Sequence, residues 1–311
     1  MTKVFIDGSA GTTGLQIRER LSRRSDLTIL TLPEAQRKDP EARKAVMNGS
    51  DVVFLCLPDA AAIEAAGFVT NPEVRVIDTS TAHRVDPNWV YGFAELGRKD
   101  AIAAAKRIAN PGCHATGFIS VVYPLVASGL LDAGALLKCF SLTGYSGGGK
   151  SMIADYEAPE RDSLLSSPAI YALGQSHKHI PEMVAVCGLR TAPIFCPVVD
   201  DYFKGMATTV PLHLSELKGV QTLAQVREAL ADFYAGQTLI SVATAEETAA
   251  MSKLYGNAKA GTDSLEIVVA GNDERVTVTA LFDNLGKGAS GAAIQNMNLA
   301  LGVEPAAGLV V

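Results

Sequence analysis

Residues 110 to 117 read Asn-Pro-Gly-Cys-His-Ala-Thr-Gly and place Cys113 where the chain turns into an apolar helix, expected to run to about Leu131. Pro111 stiffens the approach and Gly112 permits unusual backbone angles, so the side chain is presented at a bend. The positive end of a helix favours a thiolate, and a thiolate attacks carbonyl carbons. The pattern predicts a nucleophile, although a free cysteine is more often a small buried hydrophobe.

A second polar window holds two of the five histidines of the chain. It reads Ser176-His177-Lys178-His179-Ile180-Pro181-Glu182. Histidine is the usual proton carrier near neutral pH, which makes this window a candidate source of acid and base catalysis. A solvated loop is the alternative. A zinc site is not predicted, because two histidines lack further ligands at metal spacing.

The third feature is a glycine turn near the amino terminus. The apolar run Val4-Phe5-Ile6 is followed by Gly8-Ser9-Ala10-Gly11-Thr12-Thr13-Gly14, which opens an apolar-patterned helix. In a dinucleotide-binding turn the first glycine makes the bend, the second lets a pyrophosphate approach, and the third brings helix and strand together. A strand before the glycines and a helix after them supply the required context.

The residues after the second strand, Leu27 to Leu32, bear on the choice between NAD and NADP. A carboxylate such as Glu34 would bind the ribose hydroxyls of NAD, whereas the pair Arg37-Lys38 would bind the 2'-phosphate of NADP. We expect NADP. A solvated loop is the alternative.

A fourth segment, Gly144-Tyr145-Ser146-Gly147-Gly148-Gly149-Lys150-Ser151, matches the phosphate loop of nucleoside triphosphatases. Such an enzyme also needs an apolar strand that ends in a magnesium-binding aspartate. The candidate, Val198-Val199-Asp200, follows a proline in poor strand context. The same glycines could hold a phosphate as a backbone anion site, or form a plain connection.

Composition indicates a cytoplasmic globular enzyme. The 311 residues are 48% hydrophobic and 19% charged, and the net charge of -6 argues against a nucleic-acid surface. The amino terminus shows no signal-peptide pattern, and no apolar run reaches membrane-spanning length. The five cysteines form neither a paired framework nor a metal spacing, so we expect reduced thiols.

The order of elements predicts an α/β protein with two kinds of sheet. Strands at Val52 to Leu57 and Val74 to Asp78 alternate with helices, as a Rossmann-type doubly wound parallel sheet requires. Beyond residue 135 the strands alternate in hydropathy and suggest an α+β domain with a mixed, largely antiparallel sheet. These strands are expected at Leu136 to Thr143, Met206 to Leu214, Leu265 to Ala270 and Arg275 to Phe282.

Together these segments resemble the shorter form of the N-acetyl-gamma-glutamyl-phosphate reductase family, over nearly the whole chain. Besides the four segments quoted above, the resemblance rests on Asp78-Thr79-Ser80-Thr81-Ala82-His83-Arg84, Tyr91-Gly92-Phe93-Ala94-Glu95-Leu96 and Asp283-Asn284-Leu285-Gly286-Lys287-Gly288-Ala289. Several such segments in order are more specific than any single motif.

The resemblance implies NADPH-dependent reduction of an acyl phosphate to an aldehyde, through a thioester on Cys113, in arginine biosynthesis. It assigns acid and base catalysis to His177, with His179 as the alternative, and lets Glu182 orient one of them. It assigns substrate binding to Arg84, Ser146 and Gly147. It assigns cofactor binding to Gly8, Ser9, Gly11, Thr12, Thr13, Gly14, Ser80, Asn284 and Lys287.

The resemblance also implies the domain plan and a homo-oligomer. Residues 1–112 and 285–311 would form a discontinuous NADP-binding domain, and residues 113–284 a catalytic and dimerisation domain that builds a homodimer or homotetramer. Longer family members carry a Pro-His pair where this chain has Pro197-Val198, and often arginine where it has Lys150. Three alternatives remain: an aspartate-semialdehyde dehydrogenase, a non-catalytic nucleotide-binding regulator, and a P-loop nucleotide-binding protein.

Overall fold

The computed structural model describes residues 1–311, which divide into two compact units. The first comprises Met1–Pro111 and Ala289–Leu309, and the second comprises Gly112–Gly288 with Val310–Val311. The first segment of the first unit therefore ends at residue 111, where the sequence suggested 112, and its second segment begins at residue 289, where the sequence suggested 285. The last two residues join the second unit because Val310 and buried Asp263 exchange hydrogen bonds. The Val310 N–H donates to Asp263 Oδ2 at 2.9 Å, and the Asp263 N–H donates to the Val310 carbonyl at 2.6 Å.

The first unit is built on a six-stranded parallel sheet. Its strands are β1 (Thr2–Asp7), β2 (Leu27–Leu30), β3 (Val52–Leu55), β4 (Arg75–Asp78), β5 (Val90–Tyr91) and β6 (Arg107–Ala109). Their order is β2-β1-β3-β4-β6-β5, and every pairing is parallel. The order reverses at β1, so the glycine turn that follows β1 lies at the switch point where doubly wound folds bind ligands.

Helices cover both faces of this sheet. They are α1 (Thr12–Leu21), α2 (Pro40–Asn48), α3 (Asp59–Phe68) and α4 (Lys99–Ala104). Val4 and Ile6 of β1 face a core that includes Ile17 of α1, whereas Phe5 faces a core that includes Met47 of α2. Alternate residues of one strand therefore enter separate cores, as burial on both faces of a parallel sheet requires.

The second unit packs helices against a seven-stranded sheet. Its helices are α5 (Cys113–Ala127), α6 (Gly149–Glu157), α7 (Ile180–Cys187), α8 (Leu223–Phe233) and α9 (Ala245–Ala250). Its strands are β7 (Lys138–Gly144), β8 (Ala169–Ile170), β9 (Ile194–Asp200), β10 (Met206–His213), β11 (Ile240–Val242), β12 (Leu265–Gly271) and β13 (Arg275–Phe282). The order is β11-β12-β13-β10-β7-β9-β8, and only the β11·β12 and β7·β9 pairs are parallel, so the sheet is mixed and largely antiparallel as predicted.

Two local expectations were wrong. Helix α5 ends at Ala127 and not near Leu131, because Gly129 adopts a left-handed conformation with φ of 74°. The segment that contains Val198 and Asp200 is a regular strand, β9, despite Pro197. Sequence reasoning counted that proline against a strand, yet β9 pairs along its whole length with β7.

The last helix returns to the first unit. A turn of π-helix at Gly286–Ser290 leads into α10 (Gly291–Leu301), which is buried along nearly its full length. Buried Gln295 and Asn296 of α10 are bonded within the unit, to Glu95 Oε1 at 2.8 Å and to the Gly92 carbonyl at 2.9 Å. None of the helices of the chain is both long enough and apolar enough to cross a membrane.

Candidate active site

Cys113 is the first residue of α5, as the sequence predicted. Gly112 precedes it in extended conformation, with φ of -82°, and donates its N–H to Oε1 of Glu182 at 2.7 Å. Because Glu182 is 1% exposed, this hydrogen bond is shielded from solvent, and it fixes the position of Gly112, the residue that presents the cysteine. The expectation that Glu182 orients a histidine stays a prediction beside this observed contact.

The chain before Cys113 is held within the first unit. The Asn110 carbonyl accepts from Nε of Arg84 at 2.9 Å, and Oδ1 of Asn110 accepts from Nδ2 of Asn296 at 3.0 Å. Arg84 is buried and also donates to the Thr79 carbonyl at 3.0 Å. Arg84 thus holds in place the segment that leads to Cys113, which a surface ion pair would not do. Its predicted contact with substrate stays a prediction.

The two predicted histidines lie at the start of α7, and a third histidine joins them. The His177 and His179 rings are 4.8 Å apart between centroids, and His114 lies 5.5 Å and 5.7 Å from them. His177 Nδ1 accepts the backbone N–H of His179 at 3.2 Å. A ring nitrogen that accepts carries no proton, so a neutral His177 bears its proton on Nε2.

His114 and Tyr171 are the site residues that sequence reasoning missed. His114 is 3% exposed, and its Nε2 lies 2.6 Å from the Tyr171 hydroxyl. Burial, and then the negative charge of Cys113, raise the pKa of Tyr171, so Tyr171 keeps its proton near the sulfur. Adjacency of His114 to Cys113 was a usable signal. Tyr171 carried none, because nothing in its local sequence tells that β8 brings it back to α5.

The glycine segment after β7 is folded against neighbouring loops. The backbone N–H groups of Tyr145 and Ser146 donate to the carbonyls of Tyr202 and Phe203 at 2.9 and 3.0 Å. Buried Ser146 accepts at Oγ from Nδ2 of Asn284 at 2.9 Å, whereas Gly147 is exposed. A phosphate loop needs its N–H groups directed at the nucleotide, so these bonds argue against a triphosphatase even though β9 ends at Asp200 beside Gly144.

The glycine turn of the first unit has the geometry that a dinucleotide-binding turn needs. Gly8 has φ of 82°, and a Cβ there would lie 2.2 Å from the Cys56 carbonyl oxygen. A Cβ on Gly14 would lie 2.5 Å from the Gly8 carbonyl oxygen, whereas one on Gly11 would make ordinary van der Waals contact with the same oxygen at 3.4 Å. The first and third glycines therefore allow close packing, and the lack of a side chain at the second keeps the backbone at the amino end of α1 unobstructed, as a pyrophosphate-binding turn requires.

The other predicted cofactor residues occupy three places. Ser9, Thr12 and Thr13 lie in the turn itself and at the start of α1. Ser80 follows β4, and its hydroxyl donates to Oδ2 of Asp78 at 2.6 Å. Asn284 and Lys287 are buried in the second unit, where Asn284 Oδ1 accepts the Gly205 N–H at 2.8 Å. Their contacts with a cofactor stay predictions.

All five cysteines are free thiols, and no cluster of three or more histidine, cysteine or acidic side chains is arranged to hold a metal ion. Burial raises the pKa of Cys56 to about 12, and it also raises the pKa of Cys139. These two sulfurs therefore remain thiols at neutral pH. Cys113 differs from them in its position at the amino end of a helix, which favours the thiolate form.

Comparison with known proteins identifies the family. Residues 3–105 match the family model for a semialdehyde dehydrogenase, NAD binding domain, and residues 113–284 match that for a semialdehyde dehydrogenase, dimerisation domain. A Rhizobium johnstonii protein named N-acetyl-gamma-glutamyl-phosphate reductase is 46% identical over 305 residues, which covers 96% of this chain and 98% of that protein. A Brucella anthropi protein of the same name is 46% identical over 306 residues, with the same coverage. The chain belongs to the N-acetyl-gamma-glutamyl-phosphate reductase family.

Family membership confirms the predicted resemblance, the oxidoreductase class and a nicotinamide dinucleotide as cofactor. The fold is also that of more distant solved structures. Aspartate semialdehyde dehydrogenase II from Vibrio cholerae, complexed with ASA, superposes with a TM-score of 0.71 at 16% identity and covers 97% of this chain and 98% of its own. The Francisella tularensis aspartate semialdehyde dehydrogenase gives 0.70 at 14% identity, with coverage of 96% and 99%. At such low identity the likeness shows the fold alone.

Proposed function

We propose that this protein reduces N-acetyl-gamma-glutamyl phosphate to N-acetylglutamate 5-semialdehyde and phosphate, with NADPH as reductant, in arginine biosynthesis. The observation that carries the proposal is the family membership together with a cysteine at the amino end of α5. The acid and base candidates, half-buried His177 and buried His179, pack around His114, the residue after that cysteine. We assign the first unit to the cofactor and the second to catalysis and assembly.

The first half of the reaction uses Cys113 as nucleophile. Its thiolate attacks the acyl carbon, the carbon–oxygen bond to the phosphate breaks, and phosphate leaves with the bonding electrons. A thioester on Cys113 remains. The dipole of α5 stabilises the thiolate before attack, and the Gly112 to Glu182 bond holds the cysteine at the helix terminus.

The second half converts the thioester to the aldehyde. NADPH, when bound, supplies the hydride that reduces the thioester carbonyl carbon. His177 acts as the acid by donating a hydrogen bond from Nε2–H to the resulting alkoxide, since its Nδ1 is engaged by the His179 backbone. The alkoxide then re-forms the carbonyl as the carbon–sulfur bond breaks, which releases the aldehyde and restores the Cys113 thiolate. His179 is the alternative acid and base.

NADP preference is part of the proposal. The residues after β2 form a short turn, Glu34–Gln36, in which exposed Glu34 pairs with Arg37 at 2.6 Å. We assign Arg37 and Lys38 to the 2'-phosphate, which would compete with Glu34 for the guanidinium. In an Arg37→Ala, Lys38→Ala variant we expect the KM for NADP to rise and that for NAD to stay unchanged.

The decisive experiment is the reverse reaction of the purified protein. Phosphate-dependent reduction of NADP is measured with N-acetylglutamate semialdehyde and, side by side, with aspartate semialdehyde. Preference for the acetylated aldehyde, abolished in Cys113→Ala while NADP binding is retained, is the expected result. Preference for aspartate semialdehyde would overturn the substrate, and a lack of phosphate-dependent turnover with either aldehyde would overturn the reaction.

We also propose that the chain forms a homodimer or homotetramer through the outer face of the second sheet. Phe140 of β7 and Ile194 of β9 are 52% and 56% exposed on neighbouring parallel strands, and this region matches the dimerisation model. Large apolar side chains clustered in this way mark an interface. We expect Phe140→Asp to dissociate the assembly in light scattering, and the matched variant Leu15→Asp, on exposed α1, to leave it intact. A monomeric wild type would refute the proposal.

The biosynthetic reaction and the free thiols support a cytoplasmic location, which localisation of the tagged protein would test.

A further inference from the structure

A chain of four hydroxyl and imidazole groups runs through the second unit to the nucleophile. Thr208 Oγ1 lies 2.8 Å from Ser141 Oγ, Ser141 Oγ lies 2.7 Å from His114 Nδ1, and His114 Nε2 lies 2.6 Å from the Tyr171 hydroxyl. Thr208 and Ser141 are fully buried on adjacent strands, and His114 is the second residue of α5. We call these four residues the polar chain.

His114 lies in the polar chain as a neutral ring. Burial, and then the neighbouring His177, lower its pKa to about 3. A neutral imidazole carries one N–H and one bare nitrogen, and both nitrogens of His114 have a partner. If one end of the ring donates, the other end must accept, so the ring transmits a single direction of hydrogen bonding.

Thr208 decides that direction. Its hydroxyl has Ser141 as its hydrogen-bond partner, and at 0% exposure the hydroxyl is out of reach of bulk water. If Tyr171 donated to His114, then His114 would donate to Ser141 and Ser141 to Thr208, which would leave the Thr208 proton without an acceptor. A buried donor without an acceptor costs about 1–3 kcal/mol. In the opposite direction Thr208, Ser141 and His114 each donate to a buried acceptor, and the one proton left over is that of Tyr171, which is half-buried.

The favoured direction turns the Tyr171 proton away from His114. Thr208 donates to Ser141, Ser141 donates to Nδ1 of His114, and Nε2–H of His114 donates to the oxygen of Tyr171. The Tyr171 proton is then free to point away from His114, and the Cys113 sulfur is near enough for its charge to help raise the pKa of Tyr171, after the larger effect of burial. Because His114 directly follows Cys113 on α5, its bond to Tyr171 holds the tyrosine hydroxyl beside the helical turn that carries the sulfur.

Gly117 is the residue that lets this chain form. It lies one turn after His114 on α5, and a Cβ there would lie 2.3 Å from Thr208 Oγ1. Any side chain at this position would displace the Thr208 hydroxyl. A glycine in the interior of a helix is unfavourable by about 1 kcal/mol relative to alanine, and the close approach of Thr208 gives its physical reason.

We propose that His114 is a positioning residue, which donates from Nε2 to Tyr171 and thereby directs the Tyr171 hydroxyl to donate to the Cys113 thiolate. The proposal rests on the proposed function of Cys113 as nucleophile, but it concerns the free enzyme. His177, His179 and Glu182 also face this part of α5, from the start of α7. A hydrogen bond to a thiolate stabilises the charged form, so the polar chain increases the fraction of reactive sulfur.

The first test is alkylation of Cys113 by iodoacetamide as a function of pH, followed by mass spectrometry of the peptide that contains it. In Tyr171→Phe we expect the midpoint pH to rise by about one unit or more, so that the rate at a fixed pH below the midpoint falls roughly tenfold. His114→Phe should shift it in the same direction, and the double variant no further than the larger single shift. An unchanged midpoint in Tyr171→Phe would overturn the proposal.

The far end of the polar chain offers a matched pair of variants. Thr208→Val keeps the shape and removes the hydroxyl, whereas Thr208→Ser keeps the hydroxyl. We expect Thr208→Val to raise the alkylation midpoint, by less than Tyr171→Phe does, and Thr208→Ser to restore the wild-type value. Equal midpoints in the two variants would show that Thr208 does not set the direction. Because alkylation needs no substrate, a failure here is distinct from a failure of the proposed reaction.

A second measurement uses the unaltered protein and so does not depend on variants that fold. Nitrogen-15 chemical shifts of the His114 ring distinguish its tautomers. We expect the neutral Nε2–H tautomer, with no second proton on Nδ1 across about pH 5 to 9, as the buried ring requires. A ring with its proton on Nδ1, or one that becomes cationic in this range, would refute the assignment.

Discussion

Stability at acid pH offers a direct test of the buried His114. Its pKa is lowered from 6.5 to about 3 by burial and by His177. Below about pH 6.5 the unfolded chain therefore binds a proton that the folded chain does not bind, and acid favours unfolding. The contribution is lost as pH falls, at about 1.4 kcal/mol per pH unit, or about 2 kcal/mol between pH 6.5 and 5.

The assay is urea unfolding of wild type and His114→Gln at a series of pH values, followed by far-ultraviolet circular dichroism. Glutamine does not titrate, so the variant should lose about 1.4 kcal/mol per pH unit less stability than wild type as pH falls towards about 5. Trp89, the one tryptophan of the chain, lies in the first unit, and its fluorescence follows that unit separately.

A control and a refuting outcome sharpen the test. His114→Phe, a second variant that does not titrate at this position, should show the same reduced pH dependence as His114→Gln. If the stability of wild type and of His114→Gln changed with pH in the same way, the His114 ring would be protonated to the same extent in the folded and the unfolded chain. The argument from burial would then fail, and with it the neutral ring on which the polar chain depends.

Three further predictions concern the turns that carry the site. Gly8→Ala should abolish NADP binding and destabilise the first unit by at least about 2 kcal/mol in urea unfolding, because the new Cβ would meet the Cys56 carbonyl. The control is Gly67→Ala in α3, where a Cβ meets open space, and it should be neutral or stabilising by up to about 1 kcal/mol. Glu182→Ala should cost about 1–3 kcal/mol of stability and lower kcat by roughly a hundredfold, since the Gly112 N–H loses its acceptor and Cys113 shifts. Glu182→Gln retains an acceptor and should keep kcat within about tenfold of wild type, and equal kcat values in the two variants would refute this role. Asn284→Ala should raise the KM for phosphate in the reverse reaction by roughly tenfold, because Ser146 and Gly205 lose their shared partner, and an unchanged KM would remove the glycine segment from the phosphate site.

Local patterns were enough for the fold class and for the position of Cys113 at the start of a helix. The alternation of short apolar strands with helices, and the spacing of Gly8, Gly11 and Gly14, depend on backbone geometry within a few residues. Gly8 and Gly14 show the close approach that their positions in the motif predict. The strands expected at Leu265 to Ala270 and Arg275 to Phe282 were equally readable, and in the structure Gly271 and Asn272 form the turn between them. Pro197 misled, since β9 is stabilised by its pairing with β7 and not by local propensity.

The sequence by itself determined that a cysteine begins a helix, that a dinucleotide turn follows the first strand, and that paired histidines accompany them, because these features are local. Only the tertiary structure decided what surrounds the cysteine. Glu182 lies 70 residues from Gly112 along the chain, and Tyr171 lies 57 residues from His114, yet each pair is hydrogen-bonded. No local pattern encodes such partners, because strand pairing and helix packing bring them together, and burial then sets which groups carry charge and which way their hydrogen bonds point.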